Sequence, residues 1–110
     1  MSSPRLHQLL ALLEESPDDS FLLFAIAKEY EGAGQAETAR EYYHRLLEED
    51  PEYIGVYYHL GKLCEKQGDL HQAFAIYGKG MEMARRLGDQ HALSELAGAR
   101  LQLGDDEDFL

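Results

Sequence analysis

Apolar residues between positions 23 and 80 recur three or four positions apart, which is the spacing of one face of an α-helix. The recurrence is interrupted at Gly34 and again at Gly68-Asp69, where a chain leaving a helix needs turn residues. The pattern therefore predicts two helix–turn–helix units. Their apolar faces are Leu23, Ile26, Ala27 and Tyr30, then Ala39, Tyr43 and Leu46, then Tyr57, Leu60, Gly61 and Cys64, and finally Ala73, Tyr77 and Gly80.

The two predicted units are related by an internal repeat. When the chain is compared with itself at a shift of about 34 residues, Pro17 aligns with Pro51 and Gly34 aligns with Gly68. Other residues agree in the same phase: Lys28 with Lys62, Glu31 with Glu65, Ala39 with Ala73, and Tyr43 with Tyr77. Agreement at so many positions predicts a protein built from stacked repeats.

This repeat resembles the tetratricopeptide repeat, whose signature is W-x2-L-G-x2-Y, then A-x3-F, then a proline. The residues that carry the resemblance most directly are Ala27, Tyr30, Ala39, Pro51, Leu60, Gly61, Ala73 and Tyr77. The second unit departs from the signature at Cys64, which replaces a tyrosine, and at Arg85, which replaces the proline. The resemblance implies an all-α fold, a short right-handed superhelix of about six helices in which the first helix of each unit lines a concave groove.

The resemblance covers nearly the whole chain. We expect a single domain over residues 1–104, followed by an acidic tail over residues 105–110. Within the domain we expect an N-terminal half repeat at 1–19, full repeats at 20–53 and 54–87, and a C-terminal capping helix at 88–104. The charge of the tail favours disorder, whereas Phe109 and Leu110 give it the character of an acidic–apolar ligand, so both alternatives stay open.

Gly61 lies inside a predicted helix, where glycine costs about 1 kcal/mol relative to alanine. Ala27 and Ala97 hold the equivalent place in the other first helices, so we expect a small residue there to allow two helices to cross closely. A phosphate-binding loop in the stretch "GVYYHLGKL" is excluded. Five residues rather than four separate Gly55 from Gly61, and Leu63 stands where such a loop needs serine or threonine.

Composition and charge narrow the class of partner and the compartment. Acidic residues outnumber basic ones by 21 to 10, and a net charge of −11 argues against nucleic acid or an anionic membrane as the partner. A single cysteine, Cys64, excludes an intramolecular disulfide and favours a reducing compartment. We see neither a signal peptide in "MSSPRLHQLL" nor an apolar run of membrane-spanning length, so we expect a cytoplasmic protein.

No residue pattern in the sequence predicts catalysis or a cofactor. The five histidines are scattered, and His59 and Cys64 are five positions apart, which places them on different faces of a helix. Zinc sites use spacings such as C-x2-C or H-x3-H, and these are absent. Cys64 occupies a core position, where we expect it to pack as a small apolar residue. We therefore predict a non-enzymatic protein without a metal or cofactor.

The outward positions of the first helices carry the candidate binding residues, Phe21, Phe24, Lys28, Tyr58, Lys62 and Lys66. The aromatic residues stand where the fold does not require an aromatic ring, and the lysines gather on one face of an acidic chain. Such a groove suits an acidic–apolar peptide or a partner's helix. Two alternatives stay open: the lysines pair with Glu31 and Glu65 on their own helices, and the N-terminal half repeat covers Phe21 and Phe24.

The expected function is that of an adaptor that binds a protein or peptide in the groove. The sequence leaves two further roles open, a homodimer or scaffold that self-associates through the same groove and an accessory subunit of a larger complex. A subgroup of the family clamps the carboxyl terminus of heat-shock chaperones with lysines and asparagines. Lys28 and Lys62 stand where that clamp has asparagines, and Phe24 stands where it has a lysine, so the sequence disfavours this ligand.

Overall fold

The computed structural model describes residues 3–109, and this part of the chain forms six α-helices and one short 3₁₀ turn, with no β-strand. The all-α prediction and the number of helices are thereby confirmed. The helices are α1 Pro4–Glu15, α2 Ser20–Gly32, α3 Ala36–Glu49, α4 Gly55–Lys66, α5 Leu70–Leu87 and α6 Gln90–Leu103, and the C-terminal turn is Asp106–Phe109.

Short polar side chains begin four of these helices, and glycines form the turns inside both repeats. At each of the four starts an oxygen accepts a hydrogen bond from a backbone N–H three residues on, which satisfies one of the donors left free at a helix N-terminus. Gly34 and Gly68 both adopt φ of +79°, a left-handed conformation that glycine adopts without strain. The capping residues are Ser3, Asp19, Asp69 and Asp89.

The chain through Pro51 forms one compact unit, in which α2 packs against both α1 and α3. Arg45 donates a hydrogen bond of 2.7 Å to the carbonyl of Pro17, and the Ser20 hydroxyl donates one of 3.1 Å to Asp50, so polar contacts tie the ends of the three helices together. The buried core consists of Leu6, Leu9 and Leu13 from α1, Leu23, Ala25, Ile26 and Ala27 from α2, and Ala39, Tyr43 and Leu46 from α3.

The chain from Glu52 forms a second compact unit, in which α5 packs against both α4 and α6. Two glycines lie where these helices approach most closely. A Cβ atom added to Gly61 would overlap the ring of Tyr77 and lie 2.7 Å from its Cδ1, and one added to Gly80 would lie 2.6 Å from Cβ of Tyr57. Because real Cβ contacts are longer, both positions require glycine for packing reasons.

The buried residues of this second unit include Cys64, which is fully buried as expected for a small apolar core residue. Across residues 3–109 no helix combines the length and the apolar character needed to cross a membrane.

Candidate functional site

In the first unit, α2 places Phe21, Phe24 and Lys28 on one face, since residues three or four positions apart are neighbours on a helix surface. Phe21 is 61% exposed, so α1 does not cover it. Phe24 is half-buried, and its ring centroid lies 6.2 Å from that of the buried Tyr43. These three residues line a pocket of about 330 Å³, which we call the α2 pocket. The ion pair of Arg5 and Glu29 also lines it. We refer to Phe21, Phe24 and Lys28 as the α2 surface.

In the second unit, α4 places Tyr58, Lys62 and Lys66 on one face. Lys62 Nζ lies 5.5 Å from the centre of the Tyr58 ring, within the range of a cation–π interaction. The Tyr58 ring lies 6.4 Å from the ring of the buried Tyr77, and Lys66 is exposed one turn further along α4. We refer to these three residues as the α4 surface.

A buried tyrosine holds the glutamate next to Lys28 and the one next to Lys62. In the first unit the Tyr43 hydroxyl donates a hydrogen bond of 2.8 Å to Glu31, whose same oxygen lies 3.9 Å from Lys28 Nζ. The second unit repeats the arrangement with Tyr77 and Glu65, and Lys62 Nζ lies 3.6 Å from the Glu65 carboxylate. The alternative that the lysines pair with glutamates on their own helices is therefore observed.

These ion pairs do not bury the lysines. The Lys28 side chain remains 42% exposed and the Lys62 side chain 34% exposed, and each lies beside an aromatic ring that is partly open to solvent. Exposed ion pairs of this kind contribute little to stability. Both lysines therefore retain surface with which they can contact an anionic group, while the glutamate restrains where the ammonium lies.

The link between tyrosine and glutamate is a feature that we did not predict from the sequence. Tyr43 and Glu31 are 12 residues apart, as are Tyr77 and Glu65, and both pairs recur in the internal repeat. That joint recurrence was the signal that could have revealed it. Arg5 at the edge of the α2 pocket gives no comparable signal, because it comes from α1 and has no counterpart in the repeat.

Burial raises the pKa of Tyr43 and Tyr77 well above 10, and the hydrogen bond to a carboxylate raises each pKa further. The cause is that a phenolate would be desolvated and would face a negative charge. Both hydroxyls therefore remain protonated donors in the folded protein under ordinary conditions.

We expect the folded protein to lose stability as the pH rises above about 10. The unfolded tyrosines ionise near that pH, while the raised pKa of Tyr43 and of Tyr77 keeps both protonated in the folded state. The unfolded state then binds fewer protons, so the free energy of unfolding falls with pH. Urea denaturation between pH 8 and 11 measures the slope, which should be shallower in a Tyr43→Phe, Tyr77→Phe variant. Equal slopes would contradict this explanation.

Within residues 3–109 no group of three or more histidine, cysteine, aspartate or glutamate side chains is placed to hold a metal ion. The α2 and α4 surfaces offer apolar contact with aromatic rings and charge pairing with lysines.

Comparison with known proteins identifies the family. The tetratricopeptide repeat profile matches residues 30–86, just over half of the chain. A TPR repeat-containing protein of Pseudomonas aeruginosa is 35% identical over 85 residues, which cover 77% of this chain and 81% of that protein. Both matches concern the repeats from which the resemblance was inferred.

Solved structures agree with this family. The solution structure of a tetratricopeptide repeat domain protein from Salinibacter ruber is 41% identical, with a TM-score of 0.76, over 80% of this chain and 89% of that one. SycD, a type III secretion translocator chaperone of Yersinia enterocolitica, reaches a TM-score of 0.82 over 94% of this chain and 72% of its own, but at 13% identity this likeness concerns the fold alone. The repeat period, the helical architecture and these matches together show that the chain belongs to the tetratricopeptide repeat family.

Proposed function

We propose that this protein is a non-enzymatic adaptor whose α2 and α4 surfaces bind acidic and apolar side chains of a protein partner. The tetratricopeptide repeat fold is generally used for protein–protein interaction rather than catalysis, and this supports the role in protein binding. The local chemistry of the two surfaces supports the proposal that the partner presents acidic and apolar side chains.

The observation that carries the proposal is the α2 pocket. Phe21 is an aromatic residue that remains 61% exposed. It adjoins Phe24 and Lys28 around a volume of about 330 Å³, enough for one apolar side chain beside a cation. Exposed aromatic rings that adjoin other apolar groups occur at protein–protein interfaces more often than chance would place them there. The α4 surface offers the same pair of chemistries through Tyr58 and Lys62.

Selection from a random peptide library tests the proposal while the partner is still unidentified. We expect the intact chain to enrich peptides in which an acidic residue accompanies an aromatic or aliphatic one. A selected peptide is then synthesised, and its dissociation constant is measured by fluorescence anisotropy for the intact chain and for the single variants Phe21→Ala, Lys28→Glu and Lys62→Glu. We expect each contact that the peptide uses to cost roughly tenfold in affinity, equivalent to about 1.4 kcal/mol.

Lys79→Glu is the matched control, because Lys79 is an exposed lysine on α5 and its reversal changes the net charge by the same amount. We expect Lys79→Glu to leave the affinity unchanged within about twofold at physiological salt, because Lys79 belongs to neither surface and exposed charges are screened there. If the control weakens binding as much as Lys28→Glu, general repulsion explains the effect and the proposed surfaces are wrong. Selection of basic peptides would also overturn the proposal.

Self-association is the second candidate function, since an exposed Phe21 could also contact another copy of the chain. Light scattering over a hundredfold concentration range distinguishes the two functions. A mass that rises with concentration in the intact chain but not in Phe21→Ala would favour the homodimer, whereas a constant monomer mass supports the adaptor.

A further inference from the structure

The C-terminal turn, Asp106–Phe109, contacts α5 through a ring stack rather than extending into solvent. The Phe109 ring lies nearly parallel to that of Phe74, at an angle of 10° with centroids 4.2 Å apart. The edge of His71 meets the Phe109 ring at a centroid distance of 5.2 Å. Offset stacking of this kind adds to the burial of apolar surface. The described part of the tail therefore contacts α5 through Phe109, while Leu110 lies outside the described residues.

Arg100 on α6 contacts both the aromatic and the acidic part of this arrangement. Its Cζ lies 4.0 Å from the centre of the Phe74 ring, and its Nη2 donates a hydrogen bond of 2.6 Å to Asp106. Its Nε is buried and has no hydrogen-bond partner in the described part of the chain. Arg100 is thus held against one ring and hydrogen-bonded to one carboxylate. We refer to His71, Phe74 and Arg100 as the α5–α6 surface.

The turn is shaped to bring an acidic and an aromatic side chain to this surface together. Gly104 adopts φ of +144°, and a Cβ atom there would lie 2.6 Å from the Asp108 carboxylate. The same carboxylate accepts a hydrogen bond of 2.9 Å from the Asp105 N–H, which closes the turn. The result is that Asp106 and Phe109, three positions apart, reach Arg100 and Phe74 at the same time.

The turn does not fill the whole site. Beside it lies a pocket of about 320 Å³ whose apolar lining includes Met81, Ala97 and Leu101, and Leu101 is 73% exposed. Gly104 borders this pocket without a side chain to place in it. A segment that carries an apolar side chain at this point could bury surface that the chain's own tail leaves open.

We propose that the α5–α6 surface binds a partner polypeptide in which an acidic residue precedes an aromatic one by three positions, and that the C-terminal turn occupies this site until the partner displaces it. The tail is the template for the ligand, because it shows both contacts in place. The occupant is acidic because Arg100 presents positive charge in a chain of net charge −11, and aromatic because Phe74 offers a ring face. This site is distinct from the α2 and α4 surfaces, so either proposal can fail alone.

A peptide with the sequence of residues 104–110, GDDEDFL, serves as the probe in an NMR titration against the 110-residue chain and its Phe109→Ala variant. In the intact chain the tethered turn competes at an effective concentration in the millimolar range. Apparent affinity falls with the fraction of open sites. We therefore expect the peptide to bind Phe109→Ala about tenfold more tightly than the intact chain, with signals of His71, Phe74 and Arg100 shifting. A peptide with alanine in place of phenylalanine should bind neither protein.

A second opening variant, Asp106→Ala, breaks the contact with Arg100 and keeps the test decisive if Phe109→Ala alters the fold. Adding Arg100→Gln to either opening variant should abolish peptide binding. Equal affinity for the intact and opened chains, or shifts confined to Tyr58 and Lys62, would overturn the proposal. Concentration-dependent dimerisation of the intact chain that is lost in Phe109→Ala would identify a second copy as the occupant and overturn the assignment to a partner.

Discussion

Replacing Gly61 with alanine is expected to destabilise the protein by about 1–3 kcal/mol, although alanine forms helices more readily than glycine. The added methyl group would overlap the ring of Tyr77, which is fully buried. Overpacking of this kind forces side chains from their preferred rotamers or moves the helices apart. Leucine at this position should cost at least as much.

Gly98→Ala is the matched control for this prediction. Gly98 also lies inside a helix, but a Cβ atom added there meets no atom within 4 Å. We expect this variant to gain about 0.5–1 kcal/mol, because only helix propensity and the entropy of the unfolded chain change. Urea denaturation of both variants measures the difference. If Gly61→Ala is as stable as the parent chain, the close crossing of α4 and α5 at this residue is wrong.

The fold was predictable because the repeat leaves two independent records in the sequence. Helical periodicity marks the buried faces, and the shift of 34 residues aligns one buried face with the other, so chance agreement is improbable. The place of Gly61 in that alignment was enough to predict a close helix crossing. The partner at the crossing, Tyr77, became evident only from the structure, since periodicity states which face is buried and not which atoms meet there.

The candidate sites were less predictable, because side chains from different helices define them. Phe24 was predicted as a groove residue from α2 alone, yet its half-buried ring also lies 6.2 Å from that of Tyr43 on α3. The roles assigned to Phe21, Lys28 and Lys62 remain predictions. The tail shows the limit most clearly, because its acidic composition favours disorder, whereas its turn contacts Phe74 and Arg100, which belong to two separate helices.

The buried tyrosines connect the stability of each unit to the geometry of its surface. Tyr43 fills the core of the first unit, supports the Phe24 ring and fixes the Glu31 carboxylate beside Lys28. Tyr77 has the same three relations with Tyr58, Glu65 and Lys62 in the second unit. A sequence change at either tyrosine therefore alters both the core and the candidate binding surface, and the two effects must be separated by the choice of substitution.

Tyr43→Ala is expected to destabilise the protein by about 3–5 kcal/mol, as truncation of a buried aromatic residue does. The side chain is fully buried, so its loss removes apolar contact and leaves a cavity between α2 and α3. Since domains of this size are stable by only about 5–15 kcal/mol, this variant should melt at a much lower temperature.

Tyr43→Phe separates the two roles of the residue, because it keeps the ring and removes only the hydrogen bond to Glu31, at a cost of about 0.5–1.5 kcal/mol. Tyr42 is the half-buried neighbour in the same helix, and the free-energy cost of Tyr42→Ala should lie between those of Tyr43→Phe and Tyr43→Ala. Thermal and urea unfolding of the three variants rank these costs, and a Tyr43→Ala variant no less stable than Tyr42→Ala would show that Tyr43 does not form the core of this unit.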